Sequence, residues 1–443
     1  MIQLEFTPHR SALLEGHANT IDVLLRVKAP SAQEEAKPRT PLNLSLVLDR
    51  SGSMSGKPLD EAKRCAMMVA DRLTARDRLS LVAYSTEAEV LVPSTPVTDP
   101  EIFKRALRSI EALATTALHA GWQTGAEQVA RHADQGILSR VLLLSDGLAN
   151  QGVTDASTIA RHCGVMADNG VSTSTYGLGS EFNEELMTRM AEFGAGQAHY
   201  GQTADDLREP FEEELDLMSA ICARKLRLSL QPGHNVRFEV LNRYNVDESG
   251  KFILPDLAYG GEGWAVLRLT VPQDLCNPGA GAAALINARL AFEDTQGHPV
   301  ETEPATLKLG PLPAAAFHAI ASQEIVAARS AEVRAARIQE EARTAARVGD
   351  WAAVDRYIVE LRDLSQQSEW LAASVRELER YASSRHTEHF SKEAMYKSQR
   401  MRQRLAAQSE ESAAWNLRAE LLQPMFLRRK QEQGRKSDNR DEK

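Results

Sequence analysis

The residues with the clearest chemical potential directly follow an apolar run near the start of the chain. Residues 42–48 are almost continuously apolar, as expected for a buried parallel strand, and Asp49, Ser51 and Ser53 come next in a D-x-S-x-S spacing. One carboxylate and two hydroxyls are hard oxygen donors, which suit Mg²⁺, Mn²⁺ or Ca²⁺ rather than Zn²⁺ or Cu²⁺. Ligand sites of open α/β sheets lie beyond the carboxyl ends of the strands. The spacing therefore predicts a divalent-cation site at this sheet edge.

The same loop supports other interpretations, which the sequence leaves open. A glycine-bounded serine segment at residues 52–56 stands between a strand and a helix, as in the nucleophile elbow of serine hydrolases. Such a hydrolase would use Ser55, with Asp146 and His199 as partners. The segment also approaches a phosphate-binding loop, but the two glycines enclose three residues rather than four, and Pro58 stands where Ser or Thr is required. A purely structural alternative is that the carboxylate before the loop caps the next helix.

The elements that must position this loop are those of an α/β domain. Apolar runs alternate with amphipathic segments between residues 42 and 200, which predicts a doubly wound, mainly parallel, Rossmann-like sheet with helices on both faces. The predicted strands are 42–48, 79–84, 87–92, 141–144, 171–176 and 199–200, and the predicted helices are 58–74, 101–113, 118–132, 156–166 and 184–193.

Period-two alternation of apolar residues flanks this domain on both sides. Residues 2–28 and 225–292 show it, as antiparallel strands with one buried face do. Because the early strands are too few for a stable sheet of their own, we expect them to join the later ones, so that the α/β domain is inserted in a β-sandwich. The predicted domains are N-terminal strands 1–40, an α/β domain 41–215, a β-sandwich 216–312, a helical hairpin or bundle 313–425 and a disordered charged tail 426–443. Within the helical region, Gly349 and Asp350 are predicted to be a helix stop and an N-cap.

Several motifs of the α/β domain resemble those of the von Willebrand factor type A (VWA) domain with its metal-ion-dependent adhesion site (MIDAS). The matching segments are D-R-S-G-S-M-S at residues 49–55, T-A-L-H-A-G at 116–121, L-L-L-S-D-G at 142–147 and S-T-Y-G-L-G at 174–179. The resemblance covers about residues 41–215, and the layout with flanking strands and C-terminal helices is similar to that of bacterial VWA proteins. It adds Thr116 and Asp146 to the predicted metal ligands, although Thr115 stands where a glycine often precedes the threonine in the family.

The resemblance implies a non-catalytic protein-binding function. In the family, the two serines and the threonine coordinate a divalent ion, the two aspartates often bind through water, and a carboxylate of a partner protein takes an open position. We therefore expect Mg²⁺, with Mn²⁺ or Ca²⁺ as alternatives, and an acidic residue of a partner. An alternative is an adaptor subunit of a MoxR- or chelatase-like assembly, whose AAA+ ATPase would be a separate chain. His119 and Trp122, close to the predicted site, are interpreted as packing residues.

Composition excludes several other classes of function. The chain has 443 residues with 52 Lys and Arg against 61 Asp and Glu, a net charge of −9 that argues against broad nucleic-acid binding. Its four cysteines are widely spaced, which fits neither a zinc site nor a disulfide framework and is typical of reduced thiols in the cytosol. The N-terminal residues lack the pattern of a signal peptide, and no apolar run is long enough to span a membrane. The sequence therefore predicts a cytoplasmic protein.

Overall fold

The computed structural model describes residues 1–30, 40–133, 136–145, 149–178, 183–201, 220–366 and 369–387, except 114 and 243, with single positions at 207, 210–212, 214, 215, 218, 390, 391, 394, 398, 406 and 407. These residues form two compact units. One comprises the described parts of residues 36–224 and 293–299, and the other those of 1–35, 225–292 and 300–443.

A mixed sheet organises the unit that contains the D-x-S-x-S loop. Its strands are β4 (Leu42–Asp49), β5 (Arg78–Tyr84), β6 (Ala88–Pro96), β7 (Leu138–Ser145), β8 (Val171–Leu178) and β9 (Ala198–Gly201), which follow β1 to β3 of the other unit. The order across the sheet is β6-β5-β4-β7-β8-β9. All pairs are parallel except β5–β6, which is antiparallel. Strand β4, which carries the candidate site, therefore lies between β5 and β7.

Helices in this unit bury both faces of the sheet. They are α1 (Lys57–Arg72), α2 (Glu101–Arg108), α3 (Leu118–Ala130), α4 (Ala156–Asp168) and α5 (Glu184–Phe193). Strand β4 shows how the period of two divides the residues between the faces. Leu44, Leu46 and Leu48 pack in a core with α1 and α2, whereas Val47 packs in a second core with α3, α4 and α5. Asp49 continues the row of Val47 and so lies on the α3 face.

Three helices end earlier than predicted: α1 and α3 by two residues each, and α2 by five. The helix expected over residues 101–113 ends at Arg108, with Ser109 as its C-cap. Ile110 is then buried in the core, and the backbone N–H of Leu113 donates a hydrogen bond of 2.6 Å to the carbonyl of Arg50. The burial of Ile110 and the hydrogen bond of Leu113 thus bring residues 110–113 to the loop after β4 and end the helix.

The other unit contains antiparallel sheets. Its strands are β1 (Gln3–Pro8), β2 (Leu13–Leu14), β3 (Asn19–Lys28), β10 (Ile221–Pro232, which begins in the first unit), β11 (Arg237–Val240), β12 (Phe252–Ile253), β13 (Leu257–Ala258), β14 (Gly261–Val271), β15 (Ala283–Glu293), β16 (Pro299–Glu301), β17 (Ala305–Leu309), β18 (Pro311–Leu312) and β19 (Ala406–Ala407). One sheet has the order β1-β3-β14-β11 and another the order β12-β10-β15-β16, with a short parallel pair of β18 and β2. Strand β3 pairs with β14 over its full length, from Lys28 opposite Glu262 to Asn19 opposite Val271. Strands from before and after the α/β segment thus lie side by side in one sheet.

Helices follow these strands near the C-terminus, as predicted. They are α6 (Ala314–Ala319), α7 (Glu324–Arg347), α8 (Trp351–Ser365) and α9 (Glu369–Ser383). Gly349 has φ +76°, and the side chain of Asp350 accepts a hydrogen bond from the Ala353 N–H at 2.9 Å, so the predicted helix stop and N-cap are both present. The predicted disordered tail, 426–443, lies outside the described residues. None of the described helices is long and apolar enough to span a membrane. The predicted fold class is therefore confirmed as a mostly parallel sheet with helices, further antiparallel sheets and C-terminal helices.

Candidate functional site

Asp49 is a fully buried carboxylate at the carboxyl end of β4. Its Oδ1 accepts a hydrogen bond from the backbone N–H of Ser51 at 2.8 Å. Its Oδ2 accepts hydrogen bonds from the hydroxyl of Tyr84 at 3.1 Å and from that of Ser145 at 2.6 Å. Tyr84 and Ser145 are the last residues of β5 and β7, the two strands beside β4. The carboxylate is thus held where three strands end.

The two serines of the motif lie in the short loop beyond Asp49. Ser51 is buried and Ser53 is exposed, and their Oγ atoms are 3.0 Å apart. Met54 is fully buried in the core and anchors the single 3₁₀ turn that carries Ser53. The loop thus holds one buried and one exposed hydroxyl side by side, within four residues of the buried carboxylate.

Thr116 lies in a second loop that hydrogen bonds fasten to the same edge of the sheet. Its side chain is buried, and its N–H donates to Oδ1 of Asn150 at 3.0 Å. The next residue, Ala117, donates its N–H to the carbonyl of Ser85 at 2.6 Å, just after β5 ends. Together with the bond from Leu113 to the loop after β4, this contact places the Thr116 loop beside the ends of β4 and β5.

Asp146, the fifth predicted ligand, lies outside the described residues. Its neighbour Ser145 is described, and it donates a hydrogen bond to Asp49. The structure therefore joins Asp49, Ser51 and Ser53 through hydrogen bonds and brings the Thr116 loop to the same edge. For Asp146, it describes only the strand that leads to it.

Two of the predicted ligands, Ser51 and Ser53, are spaced like neighbouring ligands of a small divalent cation. An octahedral Mg²⁺ ion binds oxygen at about 2.0–2.1 Å, so that two adjacent ligands lie about 2.9 Å apart. The 3.0 Å between the hydroxyls of Ser51 and Ser53 is close to that spacing. Among the described residues, no group of three or more His, Cys, Asp or Glu side chains is arranged to hold a metal ion. The predicted ligand set is of a different kind, because three of its five members are hydroxyls.

The structure provides no support for two alternative interpretations of the loop, the helix cap and the nucleophile elbow. Asp49 does not cap helix α1, whose N-cap is Gly56 with no side-chain hydrogen bond. For the nucleophile elbow, Met54 rather than a serine occupies the central position of the glycine-bounded segment. His199, the proposed partner of Ser55, lies on β9, which is separated from β4 by β7 and β8. Its Nε2 is 3.1 Å from Oε2 of Glu214.

Sequence reasoning missed a second buried carboxylate, Glu214. Its Oε1 forms an ion pair of 2.7 Å with Arg140, and its carboxylate also accepts hydrogen bonds from Ser174, Tyr176 and His199. Burial alone would raise the pKa of Glu214, but the hydrogen bond from His199 and the charge of Arg140 outweigh it and lower the pKa to about 2. Burial, followed by the negative charge of Glu214, raises the pKa of Tyr176. The buried Glu214–Arg140 ion pair is therefore surrounded by further hydrogen bonds to the same carboxylate.

Sequence reasoning also missed Tyr84, Ser145 and Gly121 as parts of the candidate site. A Cβ atom on Gly121 of α3 would lie 2.4 Å from the ring of Tyr84, so the glycine allows this helix to pack directly on the tyrosine. Ser145 carried a weak signal, because it precedes Asp146 in the S-D-G segment. The pattern around Tyr84 shows only a strand end, and nothing in it indicates that Asp49 lies opposite.

His119 and Trp122 are packing residues, as the sequence suggests. Nε1 of Trp122 donates a hydrogen bond of 3.0 Å to Thr173. His119 Nε2 is 2.9 Å from His162 Nδ1, and burial together with the charge of His162 lowers the pKa of His119. Both rings are therefore engaged in the interior of the unit.

Comparison with known proteins identifies related sequences. The profile of the von Willebrand factor type A domain matches residues 43–213. The Synechocystis protein sll0103 is 28% identical over 218 residues, which cover 49% of this chain and 51% of that protein. The Escherichia coli protein YfbK is 26% identical over 273 residues, or 57% of this chain and 48% of that protein. This chain thus spans about half the length of the curated relatives it matches.

A similar fold is also found among solved structures. The von Willebrand factor type A protein from Catenulispora acidiphila superimposes with a TM-score of 0.64 and 15% identity, over 85% of this chain and 89% of that one. At this level of identity the similarity concerns the fold alone. Because the match covers most of both chains, it extends beyond the mixed sheet.

Proposed function

Residues 43–213 of this chain form a VWA domain, and from this premise we propose that the protein is a non-catalytic module that binds a partner protein through a divalent cation. VWA domains are typically interaction modules, which supports a protein partner. The further step, that a cation mediates the contact, depends on the donors at the end of β4.

The observation that carries this proposal is the pair of adjacent hydroxyls in the loop that follows the buried carboxylate. Ser51 and Ser53 present Oγ atoms 3.0 Å apart, Ser53 is exposed, and Asp49 lies fully buried behind them. A hydroxyl pair at the spacing of adjacent octahedral ligands, in the loop that follows a carboxylate, suits the oxygen coordination of Mg²⁺. Thr116 and Asp146 would complete the set of protein ligands.

The chemistry of such a site favours an acidic partner. The ion would supply a positive charge at the surface, and Mg²⁺ keeps water molecules that another oxygen can replace. A carboxylate of the partner is costly to bury alone, but a cation compensates its charge. We therefore propose that the partner contributes an aspartate or glutamate side chain to the site.

Two narrower proposals accompany this function. All four cysteines are buried and widely spaced along the chain, and from this pattern we propose the cytoplasm as the site of action. The partner of the metal site could be a subunit of a separate AAA+ ATPase, in which case the protein acts as an adaptor. The identity of the captured partner distinguishes this function from other protein-binding functions.

The proposal is tested by capture of partners from native lysate with the tagged full chain. The samples are wild type in Mg²⁺, wild type in EDTA, and Asp49→Ala and Ser55→Ala in Mg²⁺. We expect a partner with wild type and Ser55→Ala in Mg²⁺ and none in the other two samples. Ser55 is the matched control, because it is an exposed serine of the same loop outside the predicted ligand set. The same partners in all four samples would contradict a metal-dependent function, and loss of a measured hydrolase activity in Ser55→Ala would favour the enzyme.

A further inference from the structure

We propose that the hydroxyl of Tyr84 positions the Asp49 carboxylate and thereby makes the predicted cation site prefer Mg²⁺ to Ca²⁺. This inference deepens the proposed function and rests on it, because it concerns the same cation site. Tyr84 is a positioning residue here, since it acts through Asp49 and is not itself a predicted ligand.

Hydrogen bonds to both carboxylate oxygens fix the orientation of Asp49. Ser51 donates its N–H to Oδ1 at 2.8 Å, whereas Tyr84 and Ser145 both donate hydroxyls to Oδ2, at 3.1 and 2.6 Å. A carboxylate has about four lone-pair sites in all. Three directed bonds therefore restrain its rotation and use most of its acceptor capacity.

The position of Tyr84 is itself fixed by close packing. The residue pairs with Asp49 in the parallel register of β4 and β5, and its side chain is fully buried. On the other side, a Cβ on Gly121 would lie 2.4 Å from Cγ and Cδ1 of the ring. Because the backbone of α3 leaves no room for a shift in that direction, the hydroxyl stays in reach of Oδ2.

This restraint bears on the choice of ion. Ca²⁺ accepts six to eight oxygen ligands in flexible geometry and often takes a carboxylate through both oxygens, whereas Mg²⁺ requires six near-ideal positions and retains water. A carboxylate whose two oxygens already accept hydrogen bonds from the protein is poorly suited to bidentate binding. It is well suited to a fixed contact with a small ion or its water. The Tyr84 hydroxyl adds a second bond to Oδ2 beside that of Ser145, so it strengthens a restraint that disfavours Ca²⁺ and favours Mg²⁺.

The test is Tyr84→Phe, which removes the hydroxyl and keeps the ring. Titration calorimetry with MgCl₂ and with CaCl₂ on the full chain gives both dissociation constants. Outer-sphere substitutions at metal sites typically weaken binding about 10–100-fold, and we expect such a loss for Mg²⁺. Affinity for Ca²⁺ should fall less or rise, so that the Mg²⁺-to-Ca²⁺ preference decreases by about tenfold or more.

Tyr244→Phe is the matched control. The Tyr244 hydroxyl donates a hydrogen bond of 2.8 Å to the carbonyl of Trp264 in the other unit, so this variant also loses a bond that a tyrosine hydroxyl donates. We expect a comparable decrease in melting temperature in both variants but no change in ion preference in Tyr244→Phe. A purely structural role of Tyr84 would leave the preference unchanged in both.

Ser145→Ala provides a second variant, because it removes the other hydroxyl bond to Oδ2 and should lower the preference in the same direction. If Tyr84→Phe does not fold, the Mg²⁺-to-Ca²⁺ preference of Ser145→Ala tests the inference instead. An unchanged Mg²⁺-to-Ca²⁺ ratio in a folded variant overturns this inference and leaves the proposed function intact. If the wild-type protein binds neither ion, the metal-dependent function is overturned, and this inference with it.

Discussion

Two buried carboxylates lie against opposite faces of the same sheet, and their surroundings differ. Asp49 follows the α3 face of β4 and accepts hydrogen bonds from neutral groups, namely a backbone N–H and two hydroxyls. Glu214 lies against the other face, where Arg140 provides a full positive charge at 2.7 Å. Asp49 precedes a loop with exposed residues, whereas Glu214 is surrounded by the side chains that bond to it.

From this difference we infer that Glu214 stabilises the fold, and we propose that Asp49 serves the cation site. A buried charge requires compensation, and at Glu214 the protein itself supplies it. At Asp49, the N–H of Ser51 and the hydroxyls of Tyr84 and Ser145 orient the carboxylate, and in the proposed function a bound cation adds a positive charge nearby. Substitutions at the two carboxylates and beside them should separate stability from Mg²⁺ binding.

Glu214→Gln should cause the largest loss of stability. Removing one partner of a buried ion pair leaves the other charge uncompensated and typically costs about 3–5 kcal/mol, here through Arg140. Urea denaturation measures the change. Glu101→Gln is the control, because Glu101 pairs with Arg108 on the surface, where a pair contributes about 0–1 kcal/mol. Equal losses in the two variants would contradict a closed structural network.

Acid should weaken the Glu214 network in a defined pH range. The pKa of Glu214 in the folded protein is about 2, against 4.5 ordinarily. Because the folded-state pKa is lowered, its contribution to stability is present above pH 4.5 and is lost as the pH falls toward 2. Wild type should therefore lose more stability than Glu214→Gln between these pH values. Parallel curves of unfolding free energy against pH would show that another group controls the acid response.

Asp49→Ala should reduce stability less than Glu214→Gln but should abolish Mg²⁺ binding. The variant removes the acceptor of the Tyr84 and Ser145 hydroxyls, and unsatisfied buried donors cost about 1–3 kcal/mol. Calorimetric titration with MgCl₂ should show no binding by a protein that still unfolds cooperatively. Retained Mg²⁺ binding would show that the cation site does not depend on Asp49.

Gly121→Ala should destabilise the protein by a similar or smaller amount. The added methyl would lie 2.4 Å from the Tyr84 ring, and overpacking typically costs about 1–3 kcal/mol. Mg²⁺ affinity should fall as well, because the ring carries the hydroxyl that positions Asp49.

The control for this substitution is Gly164→Ala in the interior of α4. There the nearest atom would be 3.7 Å away, an ordinary contact. Alanine favours helices over glycine by about 1 kcal/mol, so this variant should be slightly more stable than wild type. Thermal melts of both variants should therefore shift in opposite directions, and a shift of the same sign would contradict the close packing at Gly121.

Much of the fold could be predicted from local patterns. The helix at 184–193 and the starts of the helices at 101, 118 and 156 agree with the structure, because amphipathic periodicity and turn signals depend on nearby residues. The end of α2 did not follow its pattern. Residues 109–113 could continue a helix, but burial of Ile110 and the bond from Leu113 to Arg50 stabilise a loop instead. The end of a helix can therefore depend on contacts with residues that are distant in sequence.

Local sequence patterns predict the order of the strands and helices within the α/β domain and the oxygen donors that follow β4. Contacts between distant residues place β5 and β7 on either side of β4, so that Tyr84 and Ser145 meet Asp49, and bring Glu214 to Arg140 on the opposite face. Periodicity assigns a residue to a face of its strand. It does not specify which strand lies beside it, because that choice is made by packing between residues distant in sequence.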